Sequence, residues 1–496
     1  MYLLGYDLGS SSVKAALVRV SDGLTAGIAH FPDTEMAILA PQPDWAEQDP
    51  AIWWEAVGQV TRRLLAATGI SAGQIAGIGV AYQMHGLVLL DAQGEVLRPS
   101  IIWCDSRAVD IGDQAFAALG AGYCLDHLLQ SPGNFTASKL RWVRQHEPAI
   151  FEKIHKFLLP GDYIAYRMTG EICTTVTGLS EGICWDFKTN QPAYALLDHY
   201  GIPPTLLPDV APVFAQQGKL TAVAAAQLGL VAGIPVGYRA GDQPNNALSL
   251  NVLRPGEVAA TGGTSGVVYA VTDQPRPDPD MRVNSFAHVN YTPEHPLTGV
   301  LLCINGAGSQ YRWLRQLLGN LGYPQMEQLA ASVPIGADGL CMLPFGNGAE
   351  RMLGNRTPGA EMVGLHFNRH DKAHLCRAAL EGIAFAFVYG MEAMRELGIP
   401  LRVLRVGNDN LFQSAIFSNT IATLMGVEIE MLNTTGAAGA AKGAGVGVGI
   451  FGSVEEAMAA RGTVSHQHSG KYVPSSAKAD YELAYATWKG ELAKRM

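Results

Sequence analysis

Asp242 and the run of small residues that follows it further along the chain are the part of this sequence best equipped for chemistry. Asp242 comes after Gly241 and before Gln243-Pro244, a helix opening, so a carboxylate stands at the mouth of a turn. Thr261, Gly262, Gly263, Thr264, Ser265 and Gly266 then form a loop between two apolar runs. Such a loop can turn backbone N–H groups and hydroxyls toward one anion. A carboxylate beside an anion cradle points to phosphoryl transfer. That chemistry needs donors for the phosphates, a divalent cation with a carboxylate to orient it, and an acceptor for the proton of the substrate hydroxyl. Asp7, at the entrance to Gly9-Ser10-Ser11-Ser12, suits the cation, and Asp242 suits the proton. Each residue also has a plainer reading. On the local sequence Asp242 reads first as a helix cap, Asp7 as a turn residue and Lys14 as a solvated charge at a strand end.

The elements around these residues follow from periodicity and punctuation. Leu3 to Asp7 and Val13 to Val20 are apolar runs on either side of a Gly/Ser loop, which predicts a hairpin. Residues 256–272 repeat that plan in the second half, so the spacing predicts two related α/β domains, 1–248 and 249–496. Asp49-Pro50 opens a helix whose apolar face is Trp53, Val57, Val60 and Leu64 and whose stop is Gly69. Strands are expected at Ile75–Ala81, Leu87–Leu90 and Ile101–Trp103, joined by loops at Gln83-Met84-His85-Gly86 and Cys104-Asp105-Ser106-Arg107. His85 is either an ordinary loop histidine or, with Gln83, Gly86, Trp103 and Asp105, part of a pocket for a polyhydroxy compound. Residues 136–170 read as mostly helical with a break at Leu159-Pro-Gly-Asp162, and 171–187 as a second hairpin.

In the second half Asp371 caps a long amphipathic helix that Gly398 and Pro400 end. Leu401–Val406 reads as a buried strand, Gly407-Asn-Asp-Asn410 as a loop and Leu411–Met425 as a helix, an order that suits a nucleotide or phosphate. The stretch from Gly436 to Gly447 is nearly all small residues. It is either a helix packed closely on a neighbour or a wall for a nucleotide base. A final helix is expected over 479–495.

Composition removes other classes. The 496 residues are 48% apolar and 16% charged, with 35 Lys and Arg against 44 Asp and Glu, so no basic field invites nucleic acid or an anionic membrane. Seven scattered cysteines without a Cys-x-x-Cys pair fit reduced thiols, neither a disulfide framework nor a zinc site. The early Asp7 and the lack of a basic start argue against a signal peptide, and no uncharged run reaches the ~18 residues of a membrane span, so a cytoplasmic protein is expected. There is no Gly-x4-Gly-Lys-Ser/Thr loop. Gly178-Leu-Ser-Glu-Gly182 matches the serine-hydrolase elbow, but the alternation that follows reads as a strand where the elbow requires a helix.

Taken in order, several motifs resemble one family over nearly the whole chain. They are Asp7-Leu-Gly-Ser-Ser, Trp45-Ala-Glu-Gln-Asp-Pro, Gln83-Met-His-Gly, Trp103-Cys-Asp-Ser-Arg, Leu159-Pro-Gly-Asp-Tyr, Gly241-Asp242, Gly262-Gly-Thr-Ser-Gly, and Val363-Gly-Leu through Arg377-Ala-Ala-Leu-Glu-Gly. The chain resembles the FGGY carbohydrate kinases, and among them the xylulose kinase branch. The resemblance implies two ribonuclease-H-like domains of the actin and hexokinase kind around a cleft that closes on ATP and sugar. Asp242 would be the base that activates a terminal ketose hydroxyl. Gln83, Met84, His85, Gly86, Trp103, Asp105 and Gln243 would meet the sugar. Gly9, Ser10, Ser11, Gly263, Thr264, Ser265, Gly306, Gly407 and Asn408 would hold the nucleotide, with Asp7 on Mg2+. A homodimer is the family habit. The chain departs from the pattern at Gly407-Asn408-Asp409, where many members have three glycines, at Gln243, where xylulose kinases often have Asn, and at Cys104. The rival reading is a sugar or nucleotide sensor on the same fold that does no chemistry.

Overall fold

The first two apolar runs form the hairpin that their spacing predicts. In the computed structural model β1 (Tyr2–Leu8) pairs antiparallel with β2 (Val13–Arg19), from Tyr2 opposite Arg19 to Leu8 opposite Val13. Residues 1–459 and 468–496 are described, and the chain divides into two units. The first takes Met1–Asn251, Phe286–Thr298 and the segment from Thr434. The second takes Val252–Ser285, Gly299–Asn433 and the C-terminal segment.

In the first unit β3 (Thr25–Phe31) extends the hairpin antiparallel to β2. β4 (Ile75–Tyr82) lies parallel to β1, and β5 (Val236–Gly241) parallel to β4, giving the order β5-β4-β1-β2-β3. One face is covered by α1 (Pro50–Thr68), which starts where Asp49 accepts the Ala51 N–H and ends at left-handed Gly69. Its Trp53, Val57, Val60 and Leu64 are buried, as the periodicity predicts. The Tyr6 hydroxyl meets Thr61 Oγ1 at 2.6 Å between helix and sheet. The opposite face carries the small-residue helix Gly436–Gly447. A Cβ on Gly5 would stand 1.9 Å from the Ala437 carbonyl oxygen, and one on Gly79 would stand 2.1 Å from that of Ala440. Strand glycines and helix alanines thus bring two backbones into contact, and the close-packing reading of this stretch is the one the fold uses.

Two local expectations are corrected. Residues 171–187 are not a hairpin. Strand Cys173–Thr175 pairs parallel with Asp209–Ala211, and α2 (Val176–Glu181) follows at once, capped by Thr175 Oγ1 accepting the Gly178 N–H. The β-branched residues that suggested a strand include the cap of a short helix. Residues 136–170 are mostly helical as expected, at Thr136–His146, Pro148–Phe151 and Pro160–Thr169, but the break is not at Leu159–Asp162: strand Lys156–Leu158 interrupts the helices earlier, and Pro160 opens the later one. After β5 comes α3 (Asp242–Ser249).

The second unit repeats the plan. β6 (Glu257–Gly262) pairs antiparallel with β7 (Gly266–Thr272), closing at Gly262 opposite Gly266. β8 (Thr298–Ile304) flanks β7. On the other side β9 (Val403–Gly407) runs parallel to β6, and β10 (Glu428–Leu432) parallel to β9. The central order β8-β7-β6-β9-β10 matches that of the first unit, so each unit has the ribonuclease-H-like sheet. Its helices include α4 (Ala307–Leu317) and α5 (Lys372–Glu396), the latter capped by Asp371 as expected. Residues 411–425 are not one helix. A 3₁₀ turn at Asn410–Gln413 comes before α6 (Ala415–Met425), which Ser414 caps. The last helix is Lys478–Ala493. No helix among the described residues is long and apolar enough to cross a membrane.

Candidate active site

In the first unit the parallel strands end together, and Asp7 and Asp242 come from two of those ends. Asp7 is the penultimate residue of β1, and Asp242 is the first helical residue after β5. Gly241 is the N-cap, so Asp242 does not take the cap position. Both carboxylates are half-buried. Burial first, then the charge of Asp7, pushes Asp242 up to about 7, although the Gln243 N–H and the helix terminus act the other way. Asp7 is itself raised by burial, against the pull of Lys14 across the hairpin. The small-residue helix starts beside this pair. A Cβ on Gly436 would stand 2.6 Å from Asp7 Oδ2, and the Gly436 carbonyl accepts Asn245 Nδ2 at 2.9 Å.

The loop after β1 is tied by the Gly9 N–H to the Ser12 carbonyl. Gln48, from the Glu-Gln-Asp-Pro motif, anchors it. Its Nε2 donates to the Ser10 carbonyl at 2.7 Å, and its Oε1 accepts the Trp53 indole and, at 3.4 Å, Gln83 Nε2. Gln83 is therefore buried within this network, with its backbone N–H on the Leu8 carbonyl. Trp103 is 52% exposed and its indole N–H meets Ser10 Oγ at 3.3 Å, which places an aromatic wall at the loop.

Met84 is buried with its Cγ against Gly241, so it adjoins the Asp242 corner. His85 has a left-handed backbone (φ 63), its Nδ1 lies 2.8 Å from the Glu181 carbonyl, and its ring packs edge-on against Phe135. A non-glycine residue held there is strained and fixed by its surroundings. Gly86 lies against the Pro160 ring, and Gln243 is half-buried next to Asp242. Asp105 has a different occupation. Its carboxylate takes the Arg107 guanidinium at 2.7 Å and the Ala46 N–H at 2.6 Å, and Arg107 in turn lies over Trp45. Asp105 is buried and shapes the loop from beneath, its carboxylate engaged by Arg107 and the Ala46 N–H. Lys139, which sequence reading passed over, ties the two loops together. It is fully buried, donates to the His85 and Ile102 carbonyls at 2.9 Å each, and is pushed down to about 7 by that burial. The Ser180 hydroxyl of the elbow-like motif is buried and accepts the Ala287 N–H, so it is not presented as a nucleophile.

The second unit gathers the other small-residue positions. The Gly263 and Thr264 carbonyls accept the N–H groups of Gly308 and Ser309 in the first turn of α4, so the Gly263-Thr264-Ser265 loop rests on that helix start. Gly306 is the N-cap of α4, in a bend too tight for a side chain. Beneath it Glu350 accepts the Asn305 N–H at 3.0 Å, and burial raises that carboxyl to about 7. Gly407 ends β9, and Asn408 bonds the Leu432 carbonyl through its N–H and the Asn433 side chain through its amide. Between the loop and the 3₁₀ turn lies a cavity of about 640 Å³ lined by Gly263, Thr264, Tyr311, Tyr323, Asn410 and Ser414 among others. Tyr311 and Tyr323 stack at 5.6 Å, and Glu327, also on its wall, accepts the Ser414 hydroxyl at 2.6 Å. Such a space, with an aromatic wall and an anion loop at its edge, has the size and chemistry for a nucleoside phosphate.

Known proteins match this arrangement. The model for the N-terminal domain of the FGGY family of carbohydrate kinases covers residues 2–249, and that for the C-terminal domain covers residues 258–448. A xylulose kinase of Bacillus subtilis (strain 168) is 30% identical over 476 residues, 92% of this chain and 90% of that protein. An L-xylulose/3-keto-L-gulonate kinase of Escherichia coli (strain K12) is 30% identical over 466 residues, again 92% and 90%. The crystal structure of a xylulose kinase from Rhodospirillum rubrum superposes with a TM-score of 0.87 at 29% identity, covering 100% of this chain and 99% of that one.

Proposed function

Because the chain belongs to the FGGY family of carbohydrate kinases and is thus a sugar kinase that uses ATP, we propose that it phosphorylates the terminal hydroxyl of a ketose, with D-xylulose giving D-xylulose 5-phosphate as the first candidate. The observation that carries this reading is Asp242. It is a half-buried carboxylate, raised to about 7, at a helix start beside Met84 and the fixed His85. At neutral pH such a group accepts a proton from a hydroxyl as the phosphorus–oxygen bond forms, and it orients that hydroxyl beforehand.

The other residues divide the remaining work. Met84, His85, Gln243 and the wall at Trp103 orient the sugar. Gln83 and Asp105 hold the loops that carry those side chains. The loop at Gly9, Ser10 and Ser11 and the loop at Gly263, Thr264 and Ser265 bind phosphate through N–H and hydroxyl donors. Gly306, Gly407 and Asn408 shape the backbone around the base and ribose. Mg2+ fits the donor set. No group of three or more acidic, His or Cys side chains is gathered among the described residues, and Mg2+ needs only one or two carboxylates together with phosphate oxygens and water. Asp7 would hold it, because a carboxyl whose charge is disfavoured by burial gains from a cation. When bound, Mg2+ neutralises phosphate charge.

The test is ADP release from ATP with a panel of D-xylulose, L-xylulose, 3-keto-L-gulonate, ribulose and glycerol. Turnover fastest with D-xylulose is expected. Turnover with another member of the panel would move the substrate within the family, and turnover with none would leave the sensor reading in possession.

A further inference from the structure

Glu181 stands at the C-terminal end of α2, directly behind the Asp242 corner, and the reaction outlined above makes no use of it. It is 1% exposed, and neither carboxyl oxygen has a partner at full hydrogen-bond geometry, the His85 N–H and the Tyr82 hydroxyl being the donors that face it. Its Oε2 occupies the niche left by the missing side chain of Gly241. A Cβ built on that residue would stand 2.2 Å from Oε2 and 2.6 Å from Met84 Cγ. Gly241 has an ordinary φ of −56°, so the backbone does not require glycine there, and room for Glu181 and Met84 does. The backbone carbonyl of Glu181 meets His85 Nδ1 at 2.8 Å. One residue therefore touches the shoulder of Asp242 with its side chain and the sugar loop with its main chain.

We propose that Glu181 is a positioning residue for phosphoryl transfer: its carboxyl, lodged against Gly241, holds the Gly241–Asp242 corner and the Met84–His85 loop in one register. This rests on the kinase reading of the site. The groups that face the carboxyl decide its charge. Asp242 on α3 and Asp162 on the helix Pro160–Thr169 both oppose ionisation, as does burial, the largest influence. The His85 N–H and the Tyr82 hydroxyl on β4 favour ionisation only weakly. Arg239 on β5 is engaged by Asp162, Gln217 and Cys173 at 3.3, 2.7 and 2.8 Å. Glu181 is thus held well above the usual carboxylate range, and the proposed role takes it as the uncharged acid. A charged residue there would repel Asp242 and swing away from Gly241. An uncharged one fills the niche and leaves Asp242 as the group that titrates.

The test compares Glu181→Gln with Glu181→Ala in the full-length enzyme, checking thermal stability of both. Gln keeps shape and lack of charge, so kcat/KM within about threefold of the parent is expected, with the acid limb of its pH profile in place. Ala empties the niche and lets the corner move, and a fall in kcat/KM of about 10–100-fold is expected, the scale of a small misplacement of reacting groups. An infrared difference spectrum at pH 7 between parent and Glu181→Gln should show the carbonyl stretch of one protonated carboxylic acid. This last readout needs no turnover, so it stands even if Glu181→Ala does not fold or the parent proves not to be a kinase. Loss of ATP-dependent turnover in the parent would fail the kinase reading. A missing protonated band, a downward shift of the acid limb in the Gln variant, or an Ala variant as active as the parent would each overturn the role of Glu181.

Discussion

The two hairpins that open the two sheets have the same topology and different chemistry. In β1 the residue before the strand's last is Asp7, facing Lys14. In β6 that place is held by Thr261, facing Val267. The loop after β1 is surrounded by ionisable groups that burial has shifted, with Asp7 and Asp242 both raised. The loop after β6 contains only Gly, Thr and Ser, and it rests on the first turn of α4 through two carbonyls. A shared turn fixes where donors go. The residue at the strand end decides whether the site handles protons and cations or only holds an anion. On the proposed function, the first unit would serve the acceptor's chemistry and the second the grip on the donor.

The sharpest way to break that contrast is Asp242→Asn. Loss of a positioned base should lower kcat by about 10²–10⁴-fold, while ATP affinity, measured by titration calorimetry, should change little. An equal loss of ATP binding would show that the units do not divide the work. The same variant carries a stability signature. The Asp242 carboxyl is raised from 3.8 to about 7, so between those values the folded protein keeps a proton that the unfolded chain has released. Stability therefore declines as pH rises through that window, and above it the ionised group is a standing cost. Asp242→Asn should melt at a higher temperature than the parent at pH 8, with the gap closing toward pH 4. A gap that widens on acidification would contradict the raised value.

Exchanging the two strand-end residues probes the contrast from both sides. Asp7→Thr removes the carboxylate assigned to the cation, and a fall in kcat of about 100-fold with a raised Mg2+ requirement is expected, on the scale of a lost electrostatic contact at the transition state. Thr261→Asp puts a carboxylate beside the anion loop of the second unit, where like-charge repulsion should weaken ATP binding by about tenfold or more. If Thr261→Asp bound ATP as the parent does, the β6 loop would not be the phosphate site.

How much of this was legible in the sequence depended on whether the signal was local. Hairpins, the helix opened by Asp49-Pro50 and the helix capped by Asp371 were readable, because their caps and apolar faces lie within a few turns of chain. The pairing of Gly5 and Gly79 with the alanines of Gly436–Gly447 was not, since it joins residues more than 350 positions apart. Glu181, Lys139 and Glu350 were invisible for the same reason: an ionisable residue in a short run of mixed character shows nothing of its burial. Asp105 was read as a sugar contact from its place on the loop with Trp103 and from the family resemblance, but Arg107 two residues on takes its carboxylate. The Asp-x-Arg spacing was the available signal. The 171–187 segment misled because its two short strands, Cys173–Thr175 and Trp185–Asp186, each pair elsewhere, with Asp209–Ala211 and Gln191–Pro192, and the helix that Thr175 caps lies between them.

The smallest effect is expected at the rim of the second unit's cavity, proposed for the nucleotide, and it tests the contrast from the side of binding. Tyr323 is 46% exposed, stacks on Tyr311 and lies under the Arg315 guanidinium, 5.3 Å from the ring centroid. An aromatic pair adds about 0.5–1.5 kcal/mol beyond buried area, which corresponds to roughly two- to tenfold in affinity. Tyr323→Leu keeps bulk and removes the ring, so KM for ATP should rise by that factor. Its kcat and its KM for sugar should hold, since a contact made equally in the ground and transition states does not alter the chemical step. Asp242→Asn should show the reverse split. If Tyr323→Leu lowered kcat while leaving the KM for ATP in place, Tyr323 would belong to the transfer step, and the assignment of chemistry to one unit and grip to the other would fail.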